Sequence, residues 1–281
     1  MSIGIGLPVS DPAALLDWAR RADAGPFSTL GLLDRLVYDN PEPLTALAVL
    51  AGATTRIRLQ TEVLLAPLRE TALLAKQTAT LDRMSGGRFV LGVGVGGRED
   101  DHHAAGTPLR ERGRRLDRQL ADLYRLWSGE PYSAEAGPIG PAPAREGGPE
   151  LLIGAFKPQA LARVARWGDG LLAAAPPSWI GGLFDTVRRD WRDHGRKGEP
   201  RLVAQVNVAV GPDSVADEAK TAMHAYYAFT EMAEHMVSGM LITPGDIRAA
   251  IRAYRDLGAD EVMLYCWGSD PEQVDRLADL C

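Results

Sequence analysis

The chain has 281 residues, 46% of them hydrophobic and 24% charged, which is enough to bury a large core as one big domain or two ordinary ones. A formal net charge of -6 argues against nucleic acid as the main partner. The two cysteines, Cys266 and Cys281, offer no disulfide framework, no run reaches the roughly 18 apolar residues of a membrane helix, and no basic leader precedes the first apolar segment, so a cytoplasmic protein with no membrane partner is expected.

Short apolar runs at 2–8, 28–33, 57–65, 88–95, 150–155, 171–175, 201–210 and 261–267 read as strands covered on both faces. Amphipathic stretches separate them. Residues 12–24 place Leu15, Leu16 and Ala19 on one face, and residues 70–85 place Leu73, Leu74, Leu81 and Met84 there before Gly86-Gly87 ends the helix. The helix predicted over 108–128 opens on Thr107-Pro108 and shows Leu116, Leu120, Leu123 and Trp127 at helical spacing. Residues 178–194 carry Leu183, Phe184, Val187 and Trp191, and residues 244–257 follow a capping box in Thr243-Pro244-Gly245-Asp246. Eight such pairs, with no strand polar or proline-guarded enough for a sheet edge, predict an α/β fold: a single (β/α)8 TIM barrel, one domain over 1–281. Two segments break the spacing. The Pro/Gly-rich stretch 130–149 is an excursion before strand five, on the ligand edge or around the helix layer. The stretch 212–243, with AYYAFTEMAEHM, is longer than one crossover needs and suits an extra helix or lid over the barrel mouth.

In such a barrel the site is built just after each strand. The candidates are Pro8, Asp34-Arg35, Thr61-Glu62, Gly94 to Gly97, Gly154 to Lys157, Pro176-Pro177, Asn207 and Tyr265 to Trp267, the last suited to walling an extended ring. Gly92, Gly94, Gly96 and Gly97 would let backbone approach a flat or phosphorylated ligand. Gly154-Ala155-Phe156-Lys157 turns into a helix whose free N–H groups favour a phosphate, or it is an ordinary turn with a surface lysine. Asp34 and Arg35 form either an acid/base pair or a structural ion pair. Glu62 ends an apolar strand, so it faces ligand, carries a partner or meets solvent. His102 and His103 lack zinc spacing and read as loop residues at the mouth, one of them able to touch substrate. No metal ligands are assigned. GVGVGG has the wrong spacing for a dinucleotide fingerprint.

The stretch TEVLLAPLRETALLAKQTATLDRMSGGRFVLGVGVGG, followed by RERGRRLDRQLADLYRLWSGEP and PELLIGAFKPQALARVARWGDGLL, resembles the bacterial-luciferase-like family of flavin- and F420-dependent oxidoreductases. The resemblance implies a homodimeric barrel binding reduced FMN or coenzyme F420, with some preference for F420 because large insertions are missing. It implies a non-proline cis peptide at Glu62-Val63 behind the cofactor ring, with Thr61, Glu62, Val63, Gly94, Val95 and Gly96 along it. Gly154, Ala155, Phe156 and Lys157 would meet the phosphate or ribityl chain. Asp34, Arg35 and Glu62 are then the catalytic candidates. Many relatives carry histidine after strand two where this chain has Arg35, which could anchor an anionic substrate or stabilise charge on the reduced ring. The catalytic glutamate of several F420 enzymes falls on Gly97, with Glu99 two residues on. Either reduction of a small organic substrate or its monooxygenation is implied, with a separate flavin or F420 reductase as a candidate partner. The alternative is a non-catalytic flavin-binding protein of the same fold.

Overall fold

All eight expected strands form, and the first closes round to the last. The structure, a computed structural model, describes residues 1–8 and 11–281. In chain order the elements are β1 (Ser2–Gly6), α1 (Leu15–Ala24), β2 (Thr29–Leu32), α2 (Pro43–Ala53), β3 (Arg58–Thr61), β4 (Leu64–Leu65), α3 (Thr71–Met84), β5 (Phe89–Gly94), α4 (Glu99–Ala104), α5 (Arg112–Trp127), β6 (Glu150–Gly154), α6 (Pro158–Trp167), β7 (Gly170–Ala173), α7 (Pro177–Asp193), β8 (Arg201–Val208), α8 (Asp213–Tyr227), α9 (Ala233–Ser238), α10 (Pro244–Asp256), β9 (Glu261–Cys266) and α11 (Glu272–Ala278). Neighbours run β3-β2-β1-β9-β8-β7-β6-β5, every pair is parallel, and β3 and β4 both pair with β5 to shut the ring. β3 and β4 are thus two halves of one barrel strand, and the result is a closed eight-strand barrel ringed by helices.

Two apolar layers hold it. Val90, Leu152, Leu172, Val203 and Met263 fill the interior, while the outward strand residues meet Trp18, Leu47, Leu74, Leu120, Val164, Phe184 and Tyr254 of the surrounding helices. The amino end of the barrel is plugged by charge. Glu261 is fully buried, but Thr29 Oγ1 donates to it at 2.7 Å, Ser28 and Arg201 also donate, and Arg201 reaches Glu150 at 2.6 Å. Pairing of this kind makes burial of a carboxylate tolerable.

Local signals agree with the elements in most places. At α10 the Thr243 hydroxyl accepts from Asp246 N at 3.1 Å, as the capping box requires. Helix α5 departs from expectation: Pro108 stands outside it, a 3-10 turn covers Leu109–Glu111, and the α-helix starts at Arg112 without a side-chain cap. Helix α2 escapes periodicity reading because PLTALAVLAGA is apolar all round and has no stripe to detect, even though Val49 is 56% exposed. The excursion 130–149 lies against the helix layer. Asp82 of α3 accepts from Ala144 N at 2.7 Å, and Lys76 donates to Gly140 O at 2.8 Å. No helix among the described residues is long and apolar enough to cross a membrane.

Candidate functional site

A cavity of about 430 Å³ opens at the carboxyl ends of the strands. Its wall on the β3–β5 side is a bulge. Gln60 is opposite Val90 and Leu64 opposite Val93, so four steps on β3–β4 match three on β5. The Glu62-Val63 peptide within it is cis, at the position the resemblance implied. The glycines around the bulge serve it directly. A Cβ on Gly94 would lie 2.5 Å from Val63 Cγ2, one on Gly154 would lie 3.0 Å from Val63 Cγ1, and one on Gly92 would lie 2.1 Å from the Thr61 carbonyl oxygen. Absence of a side chain at these three positions lets the bulge fit, and Gly94 and Gly154 also line the cavity. Gly96 differs, since its φ of +69° is a left-handed conformation that requires glycine.

Of the candidates read from sequence, Asp34, Arg35, Glu62, Val63, Gly94, Val95, Gly96, Gly97, Gly154 and Phe156 line this one cavity. Thr61, Ala155 and Lys157 do not. The Thr61 hydroxyl turns into the wall and donates to Gly92 O at 2.7 Å, Ala155 is buried behind the lining, and Lys157 is an exposed N-cap of α6. Pro8, Pro176, Pro177 and Asn207 are also absent from the lining. Tyr265 and Trp267 are fully buried and stand one layer back, Trp267 packing on Tyr226 and Tyr227 and donating to Asn207 Oδ1 at 2.9 Å. The aromatic side of the cavity, expected from strand eight, comes instead from Tyr226, Tyr227 and Phe229 of the long 212–243 segment, which does form helices α8 and α9.

Asp34 and Arg35 do not pair with each other. Asp34 accepts from Leu65 N at 2.7 Å and from Arg69 at 2.6 and 3.1 Å, a clamp that ties β2 to the segment just past the bulge. Arg35 is 6% exposed; its Nε donates to Asp101 at 3.0 Å and its Nη2 to Val37 O at 2.9 Å. The rings of Tyr38 and Tyr226 each lie 5.1 Å from its guanidinium carbon. Nη1 alone has no hydrogen-bond partner among the described residues, although Arg35 lines the cavity.

Glu62 is 4% exposed and points into the barrel. Its Oε1 accepts from Gln60 Nε2 at 2.9 Å, while Oε2 has no partner among the described residues. Burial, with Glu261 adding like charge against the Gln60 hydrogen bond, pushes its carboxyl up to about 8.

The histidines are placed differently from expectation. Both sit on the short helix α4, and His102 is buried, with its ring nitrogens 3.0 Å from Thr107 Oγ1 and 3.2 Å from Val95 O. Neither lines the cavity, and Glu99 is outside it too. Sequence reasoning missed Arg98, Asp101, Gln205, Leu172 and Ala174, all in the lining. Gln205 carried a signal, being a polar residue at an inward position of the apolar run LVAQV. Arg98 and Asp101 belong to a charged tetrad that reads as solvated surface, yet Asp101 is fully buried and accepts from Leu36 N, Val37 N and Arg35.

A closed parallel barrel with a largely apolar slot at its carboxyl edge and a few convergent polar groups is a ligand-binding (β/α)8 protein. The family model described as luciferase-like monooxygenase matches residues 3–280, and the chain belongs to that family. An uncharacterized protein of Mycobacterium tuberculosis is 31% identical over 182 residues, covering 62% of this chain and 64% of that protein, so the match takes in less than two thirds of the relative's length. Among solved structures, an F420-dependent secondary alcohol dehydrogenase in complex with an F420-acetone adduct superposes with a TM-score of 0.84 at 17% identity, over 100% of this chain and 98% of that one. The oxygenating constituent of 3,6-diketocamphane monooxygenase from Pseudomonas putida, in complex with FMN, gives 0.76 at 14%, over 100% and 97%. At these identities the likeness is one of fold.

Proposed function

We propose that this protein is an oxidoreductase that holds a reduced flavin-type cofactor, FMN or F420, in the slot and acts on a small organic substrate beside it. The observation that carries the reading is the slot's own chemistry. Apolar walls from Val63, Leu65, Leu172 and Phe156 suit the faces of a fused ring, and two of the eight buried polar atoms left without partners among the described residues, Glu62 Oε2 and Arg35 Nη1, belong to residues that line it. A planar heteroaromatic ring with polar atoms at its edge fits that donor set. When bound in reduced form, such a group supplies a hydride or, with dioxygen, one oxygen atom.

The chain's own residues would then divide the work. Val63 and the backbone at Gly94 and Gly96 support the ring, and Gly154 and Phe156, ahead of α6, meet its side chain, with the helix start favouring an anionic tail. Arg35 presents a preorganised donor to an oxygen that gains negative charge during reaction. Tyr226, Tyr227 and Phe229 keep water out. Asp34, tied to Arg69 and Leu65, holds the bulge in place. The test is titration of ligand-free protein with FMN, reduced FMN and F420, read by fluorescence and absorbance. Micromolar binding of one of them is expected, with loss on substitution of Val63 by Asp. Failure of all three to bind the correctly folded protein refutes the proposal.

A further inference from the structure

The space that Glu62 occupies is made for it. A Cβ on Gly31 of β2 would lie 2.2 Å from Glu62 Cδ and 2.5 and 2.6 Å from its two oxygens, so the bare backbone of β2 is what admits a carboxyl group to the floor of the slot. No cation pairs with it among the described residues: Arg35 and Arg98 line the same slot but are engaged by Asp101 and Asp100. Across the barrel Glu62 faces Glu261 and Tyr265 of β9, and the slot also holds Asp34, Arg35, Arg98, Asp101, Tyr226 and Tyr227, of which Asp34 is paired with Arg69 and Arg35 with Asp101. Next to it in the chain Gln60 offers only a neutral amide, and Gly31 brings no side chain. At the amino end of the barrel Arg201 is committed to Glu150 and Glu261, and Arg58 to Glu150. An ionised carboxylate here would have one hydrogen bond, no cation paired with it and a like charge beyond, an arrangement proteins avoid. An un-ionised carboxyl has the opposite need, because its hydroxyl requires an acceptor. Gln60 directs its amide N–H to Glu62 Oε1; among the described residues Gln60 Oε1 and Glu62 Oε2 are both left without a partner, and of the two residues only Glu62 lines the slot.

We propose that Glu62 works in its acid form as the hydrogen-bond donor at the floor of the slot, and that its acceptor is a carbonyl oxygen or an unprotonated ring nitrogen of the bound heterocycle. This rests on the reading above that the slot receives such a ring, and it sets the chemistry of the edge that enters first: an amide- or imide-like acceptor edge, with no cation. Burial and Glu261 keep the carboxyl protonated up to about pH 8, so the donor is present at neutral pH and is lost above it. The corresponding neutral amide, glutamine, has the same size and keeps a donor at every pH.

The test uses the ligand-free full chain, with FMN and F420 as probes, titrated at several pH values on either side of 8. Wild-type affinity for the probe that binds should fall roughly tenfold as pH is raised through that value, the worth of one lost hydrogen bond. Glu62→Gln should hold its neutral-pH affinity throughout, and Glu62→Ala should bind weakly at every pH. Infrared difference spectra of the ligand-free proteins should show a protonated-carboxyl band in wild type at neutral pH that is missing from Glu62→Gln. Tight binding with a flat pH profile, or no such band, overturns the inference and leaves the ring-binding proposal standing. Absence of binding by both probes, in wild type and Glu62→Gln alike, overturns the ring reading and the assigned acceptor with it, whatever the infrared band shows.

Discussion

Replacing Asp34 with alanine separates a structural clamp from a catalytic acid. The Asp34 side chain is 2% exposed and its partner Arg69 is 19% exposed, so the pair lies mostly outside solvent screening. Deletion removes two guanidinium hydrogen bonds and leaves Leu65 N, on the far side of the bulge, without its acceptor. Breaking a buried pair from one side costs about 3–5 kcal/mol. Arg69 keeps Glu42 at 3.0 Å and some water, which places the expectation at the lower end, about 3 kcal/mol. Arg69→Met alone strands Asp34 in the same way, and the double variant should cost less than the sum by about 2 kcal/mol, because neither charge is then left unpaired. Urea denaturation of the four proteins measures this. Turnover should fall only as far as the bulge loosens. An unfolding free energy within about 0.5 kcal/mol of wild type, with turnover lost, would refute the clamp and return Asp34 to the list of catalytic groups.

Gly31→Ala should destabilise by about 1–3 kcal/mol through overpacking against the Glu62 carboxyl, and the cost should largely vanish in a Glu62→Ala background; equal cost in both backgrounds would disprove the contact. Gly94→Val should weaken FMN or F420 binding and lower the thermal midpoint together, since the new side chain displaces Val63; loss of binding at unchanged stability would show that the glycine faces ligand directly. Arg35→Lys can keep the Asp101 ion pair but gives up the planar Nη1 edge, and kcat/KM should drop roughly 10- to 100-fold with cofactor affinity held; an unchanged ratio would remove Arg35 from the reaction. Stability should also report Glu62. Its folded pKa, about 8, stands above the ordinary 4.5, so the folded state holds one more proton than the unfolded chain between those values, and its contribution is lost as pH rises across that window. Glu62→Gln should flatten that slope in urea denaturation; an identical slope in the variant would mean that Glu62 is already ionised.

The alternation of apolar runs with amphipathic helices was enough to specify a closed barrel, because burial on both faces of a parallel strand leaves an unmistakable pattern in hydrophobicity. The same logic located the carboxyl-edge turns, and ten of the candidate positions on them share one cavity. The aromatic segment after β8 was legible by its excess length as an extra helix or lid, and it forms helices while its aromatic residues line the cavity. Helix α2 was not legible, having no polar face to set a period. Composition and local order therefore determined the architecture and the edge on which ligands meet it. Only the tertiary structure decided partners: that Asp34 answers to Arg69 and Arg35 to Asp101, that Gly31 makes room for Glu62 and Gly94 for Val63, and that Tyr265 and Trp267 back the wall without facing it. Hydrophobic pattern is a property of neighbours along the chain, whereas charge pairing and close packing depend on distances across the barrel.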